Sequence, residues 1–142
     1  MERSPARHHA IVRDCLASHG GHEVDTAGDG FFVTFERSAP AFGCATAVVR
    51  HVRDLGLSVR AGVHTGECDL VGEKPSGIAV VIGARVAALA GPGQVLATRT
   101  VKDLVAGSGI VFEDAGSYEL KGVPGRWELC RLPDDDAGAS PA

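Results

Sequence analysis

The chain has 142 residues, 44% of them hydrophobic and 23% charged, and a net charge of -4 at pH 7. That is one ordinary domain with enough length for a core. No Lys/Arg cluster offers an electrostatic footprint for sequence-independent nucleic-acid binding, and no apolar run is long enough to cross a bilayer. The opening Met1-Glu2-Arg3-Ser4-Pro5 lacks the pattern of a signal peptide, so a cytoplasmic location is expected.

A first helix is expected over about 6–18, with Ile11, Cys15 and Leu16 facing inward and Gly20-Gly21 ending it. Strands follow at roughly 22–27 and 31–36, joined by a tight turn in which Gly28 and Gly30 allow positive φ. Ser38, with Pro40 two residues on, opens a second helix whose spacing runs through Phe42, Ala45, Val49, Val52 and Leu55 to Gly56. The next strand is expected over 57–66, where Leu57, Val59, Ala61 and Val63 alternate with Ser58, Arg60 and Gly62.

After a loop through Pro75-Ser76-Gly77, a helix spans about 78–90 with an apolar stripe of Ile78, Ile82, Val86 and Leu89. A short strand at 94–98 and a brief helix from Thr100 to near Gly107 come next. Val111-Phe112, Tyr118-Glu119-Leu120 and Trp127 to Leu132 read as further short strands. The domain is placed at 1–132, and the Asp-rich, small-residue tail over 133–142 is expected to be disordered. The order of elements indicates an α+β chain with a ferredoxin-like βαββαβ sheet and helices, N-terminally truncated by its first strand.

Two places carry chemistry. A carboxylate at the hairpin tip, Asp29, is well placed for a divalent cation that handles phosphates, although Gly-Asp-Gly is also simply a good turn. On the helix at 78–90, Val81 and Arg85 are one turn apart, and an Arg there suits a charged phosphorus transition state; the plain alternative is a solvated helix Arg. The small residues of Arg60-Ala61-Gly62-Val63-His64-Thr65-Gly66-Glu67 allow close backbone approach to something. Cys15, Cys44, Cys68 and Cys130 are scattered and read as core residues or idle thiols. His19 and His22 flank a Gly-Gly turn and read as solvated histidines, not a metal pair.

Several stretches, in order, carry a resemblance: Thr26-Ala27-Gly28-Asp29-Gly30-Phe31, Val59 to Glu67, Gly77 to Ala90, Gly93-Gln94-Val95-Leu96 and Leu120-Lys121-Gly122-Val123-Pro124-Gly125. Over about 7–132 the chain resembles the class III nucleotidyl cyclase catalytic domain, the adenylate/guanylate cyclase fold, particularly its actinobacterial members. The resemblance implies a head-to-tail homodimer, or a heterodimer with another cyclase domain, with sites at the interface. There ATP or GTP becomes a 3′,5′-cyclic nucleotide and pyrophosphate, with two Mg2+ or Mn2+ ions.

By that resemblance Asp29 matches one metal carboxylate and Arg85 the transition-state Arg, while Lys121 lies near a Lys that contacts the triphosphate. The base-selecting Lys is occupied by Asp25, the base-selecting Asp by Lys74, and the ribose-orienting Asn or His by Val81. An Asp in place of a Lys changes local charge by two units, each worth about 3 kcal/mol at ~5 Å and an effective dielectric near 20. Asp25 and Lys74 could pair with each other. Losing the polar group at Val81 costs roughly two to three powers of ten in rate.

The family's other metal carboxylate sits on the opening strand, which this sequence does not include, and no residue between Met1 and Ala10 replaces it. A mis-called start or fragment, a strand borrowed from a partner, and a decayed gene product remain as explanations. The expectation is a cyclase-like domain of cyclic nucleotide signalling, degenerate or inactive as this chain alone. A non-catalytic nucleotide-sensing or heterodimerising module, and an active cyclase once a leading segment is restored, stand as alternatives.

Overall fold

The computed structural model describes residues 5–27, 30–66, 69–71 and 74–133, with backbone alone at 5–7, 25–27, 30, 69–71 and 74–75. They belong to two compact units, Met1–Val59 and Arg60–Ala142.

The first unit consists of α1 (Pro5–His19), β1 (His22–Ala27), β2 (Gly30–Thr34) and α2 (Ser38–Arg53). Its core gathers Val12, Cys15, Leu16 and Cys44, with Phe31, Val33 and Phe35 laid against them. The inward face of α1 is rotated slightly from expectation: Val12 is buried and Ile11 only partly so. Choosing Val12 gives a continuous buried stripe of His8, Val12, Cys15 and Leu16 at i, i+4, i+7 and i+8.

Gly20, at φ 74°, ends α1. The Gly21 amide then turns back onto the Leu16 carbonyl at 2.9 Å. Gly21 is needed for space, since a Cβ there would lie 2.8 Å from Phe35 Cζ and 2.9 Å from Leu16 Cδ2.

β1 and β2 pair antiparallel from His22↔Thr34 to Ala27↔Gly30, with a register shift between Glu23 and Asp25. α2 buries Phe42, Cys44, Val49 and Val52. Leu55, expected on that helix, lies beyond its end. The amides of Leu55 and Leu57 both turn back to the Val52 carbonyl, at 3.0 and 3.3 Å, and satisfy the helix terminus.

The second unit contains β3 (Ala61–Val63), β4 (Asp69–Val71), β5 (Lys74–Ser76), α3 (Ile78–Leu89), β6 (Val95–Thr98), α4 (Arg99–Leu104), β7 (Glu113–Glu119) and β8 (Arg126–Arg131). Four strands form a sheet in the order β3-β6-β8-β7. β3 and β6 are parallel, joined by a crossover through α3, and the other pairs are antiparallel. β6 has neighbours on both edges and is buried at every position, which is why Val95-Leu96-Ala97 is an unbroken apolar run.

Three expectations are corrected here. The strand expected over 57–66 is only Ala61–Val63, because the Leu57 amide serves the end of α2 and the partner β6 is four residues long. The loop at Pro75-Ser76 belongs to a two-stranded hairpin, Leu70 opposite Pro75 and Val71 opposite Lys74, where a strand with one open edge tolerates proline. Of the two strands expected at 111–112 and 118–120, none forms at 111–112, and the second is the end of a longer strand, β7, which stops at Glu119. It is interrupted by a register shift between Asp114 and Gly116, where Asp114 Oδ1 accepts the Gly116 N–H at 3.0 Å and Gly116 takes φ 96°. Such a bulge on an edge strand, with Glu113, Asp114 and Glu119 exposed along it, discourages edge-to-edge pairing.

Candidate functional site

The site begins with how α3 sits on its sheet. A Cβ on Gly62 of β3 would fall 2.4 Å from the Ala87 nitrogen, and one on Gly66 2.9 Å from Ala79 Cβ. Gly62 and Gly66, facing Ala79 and Ala87, thus form a seam of small residues that lets the backbones approach, and Ile82, Val86 and Ala90 fill the core beside it. This answers what the small residues of 60–67 accommodate: it is α3. It also corrects the expected stripe. Ile78 (55% exposed) and Leu89 (43%) fall outside the seam, on the outer face with Val81 and Arg85.

Arg85 donates from Nε to the main-chain carbonyl of Lys121 at 3.1 Å. Lys121 sits on a loop held by Leu120 and Val123, both buried in the core that takes Ile82 and Val86. The Val123 amide closes the turn on the Leu120 carbonyl at 3.0 Å, with Gly122 at φ 80°. Of the residues singled out from sequence, Arg85, Val81 and Lys121 are therefore brought together on one side of the second unit. The bond ties the Arg85 guanidinium to the main chain of Lys121, with the apolar Val81 one helical turn away.

Asp25 lies on β1 opposite Phe32, in the first unit, and Lys74 on β5 opposite Val71, in the second. Asp29 and Gly28 lie outside the described residues. Among the described residues no three His, Cys, Asp or Glu side chains come together to hold a metal ion.

Sequence reasoning missed a polar pair inside the second unit. The register that sets Val63 beside Ala97 carries on to set His64 beside Thr98, and His64 Nδ1 lies 2.7 Å from Thr98 Oγ1. Thr98 is fully buried, and the His64 ring meets Trp127 edge-on at 5.7 Å. The only hint in the sequence is a histidine directly after a short apolar strand. Burial lowers the His64 pKa below the ordinary imidazole value. The unfolded chain therefore binds a proton more readily than the folded one. Stability is expected to be full above pH ~6.5 and to fall as pH drops from there toward the folded pKa. Urea unfolding between pH 5 and 8 on the wild type and on His64→Gln checks this; an equal slope in both proteins refutes it.

The described cysteines are buried and free. Burial pushes the Cys44 thiol up to about 11 and raises Cys15 and Cys130, so these are protonated packing groups; Cys68 lies outside the described residues. His19 is less solvated than expected, its Nδ1 2.8 Å from the Cys15 carbonyl. No described helix is long and apolar enough to cross a membrane.

The architecture matches solved cyclase domains. Superposition on a Trypanosoma brucei adenylate cyclase gives a TM-score of 0.82 at 22% identity, covering 90% of this chain and 78% of that one. The chain has the class III nucleotidyl cyclase domain fold, as the sequence resemblance implied. In sequence it is 32% identical over 118 residues to an uncharacterized protein of Mycobacterium tuberculosis, covering 80% of this chain and 41% of that protein. It is 32% identical over 126 residues to the adenylate cyclase of Lachancea kluyveri, covering 67% of this chain and 7% of that protein. The chain thus spans less than half the length of either relative. No family model matches it.

Proposed function

We propose that this chain is a cyclase-homology domain of cyclic nucleotide signalling that binds nucleoside triphosphate and turns it over poorly by itself. The observation that carries the reading is the joining of Arg85 to the Lys121 loop beside Val81. A guanidinium held on the loop that carries Lys121 suits the triphosphate. The valine one turn before Arg85 offers no hydrogen bond to orient a ribose. Asp25 and Lys74, at the positions where the resemblance puts base contacts of opposite charge, weaken base selection further. Asp29 is the position for a Mg2+ or Mn2+ carboxylate, and the working assembly is a dimer, with itself or with another cyclase domain.

The test is a cyclase assay with manganese and ATP or GTP, on this chain alone and mixed with an intact cyclase domain, beside equilibrium binding of the same nucleotides. Nucleotide binding with turnover at least about a hundredfold below that of the intact domain is expected. Robust cyclic-nucleotide production by the chain alone overturns the degenerate site, and no binding of either nucleotide overturns the triphosphate reading. A chain extended by a leading strand that gains full activity would make the site of this segment competent after all.

A further inference from the structure

Arg85 depends on a loop whose own support reaches back into the sheet. The carbonyl that receives its Nε belongs to Lys121, in an exposed stretch pinned at Leu120 and Val123. Beyond Val123 the chain bears Gly125 at φ 87°, Arg126 returns it to the sheet opposite Glu119 with Nη2 donating to the Ser117 carbonyl at 2.9 Å, and the Trp127 indole N–H donates to the Pro124 carbonyl at 3.2 Å. Trp127 is itself fixed: it lies on β8 opposite Tyr118, packs on the core of Ile82 and Val86, and takes the His64 ring edge at 5.7 Å, 85° between planes. His64 in turn is held by the fully buried Thr98. These contacts form one connected set from the centre of the sheet to the outer face of α3.

We infer that Trp127, braced by His64, is a positioning residue: through the Pro124 carbonyl it holds the 120–125 loop so that the Lys121 carbonyl fixes Arg85 Nε and aims the terminal guanidinium nitrogens outward. An arginine held at Nε keeps both terminal nitrogens for a bidentate contact with a phosphate, and holding it in advance removes rotamer entropy that binding would otherwise cost. The inference rests on the triphosphate reading for its purpose, but its geometry is testable without any nucleotide.

The variant is Trp127→Phe, which keeps an aromatic ring against the core and removes the N–H. The order parameter of the Arg85 Nε–H, measured by 15N relaxation on the ligand-free chain, is expected to fall in the variant while α3 amides stay unchanged. Affinity for inorganic tripolyphosphate is expected to weaken about three- to tenfold, the worth of one hydrogen bond. An unchanged Arg85 Nε–H and unchanged affinity in a folded Trp127→Phe overturn the inference.

Should that variant fail to fold, the wild type decides. Trp127 is the single tryptophan, so its emission is expected to shift on adding tripolyphosphate and to stay still in Arg85→Gln. A shift of equal size in Arg85→Gln, or a silent wild type that nonetheless binds tripolyphosphate, overturns it. A wild type that binds neither tripolyphosphate nor nucleotide removes the functional reading, and a wild-type Arg85 Nε–H as mobile as a free arginine side chain overturns the positioning without any variant.

Discussion

Gly62→Ala is expected to destabilise the Arg60–Ala142 unit by about 3 kcal/mol, near the upper end for overpacking a tight contact. The added methyl would meet Ala87 N at 2.4 Å, and Ala87 Cα and Gly83 O at 2.8 Å. All three are helix backbone, which cannot swing aside as the end of a long side chain would, so α3 must lift off β3. Lifting α3 draws Arg85 away from the Lys121 carbonyl, and weaker triphosphate binding is expected to follow. The control is Gly83→Ala on the same helix, where a Cβ meets nothing within 4 Å. Replacing a helix-interior glycine there is expected to stabilise by about 0.5–1 kcal/mol. Urea unfolding followed by Trp127 emission reads both; a Gly62→Ala midpoint equal to wild type means the close approach of β3 and α3 is wrong.

Phe42→Ala is expected to cost about 3–5 kcal/mol in the Met1–Val59 unit. Phe42 is 2% exposed and is among the largest fully buried side chains of the described residues. Its loss removes both the transfer energy of the ring and the contacts of the cavity left behind. Against a typical domain stability of about 5–15 kcal/mol, that leaves little margin. Phe42→Leu, which keeps most of the volume, is expected to cost under about 1.5 kcal/mol. Thermal unfolding by far-UV circular dichroism, with amide exchange in α1 and α2, measures the pair. Equal losses for Leu and Ala would mean that ring volume is not what the site needs.

Much of the architecture is legible in the order of the residues. Gly20-Gly21 marks the end of α1 correctly, and the two strands around Gly28-Asp29-Gly30 pair as expected. Helix stops and hairpins are chosen by a few consecutive residues, so local pattern suffices for them. The run Val95-Leu96-Ala97 likewise reads as a buried strand without knowing its neighbours. Motif position points to Arg85, Val81 and Lys121 in the sequence; the structure adds that Arg85 bonds the Lys121 carbonyl.

Local pattern fails wherever a distant partner makes the choice. Ile78 and Leu89 fit the helical period as well as Ile82 and Val86 do; the small-residue seam under Gly62 and Gly66 puts them on the outside. The length of β3 is set by β6 and by the end of α2. The His64–Thr98 pair and the Arg85–Lys121 bond join residues 34 and 36 positions apart, a separation no windowed pattern spans. Composition, periodicity and turn chemistry are properties of neighbouring residues and so declare themselves in one dimension. Which face of α3 looks outward, and what holds its arginine, are set by close approach in three dimensions, where a missing methyl group at Gly62 decides more than any apolar side chain nearby.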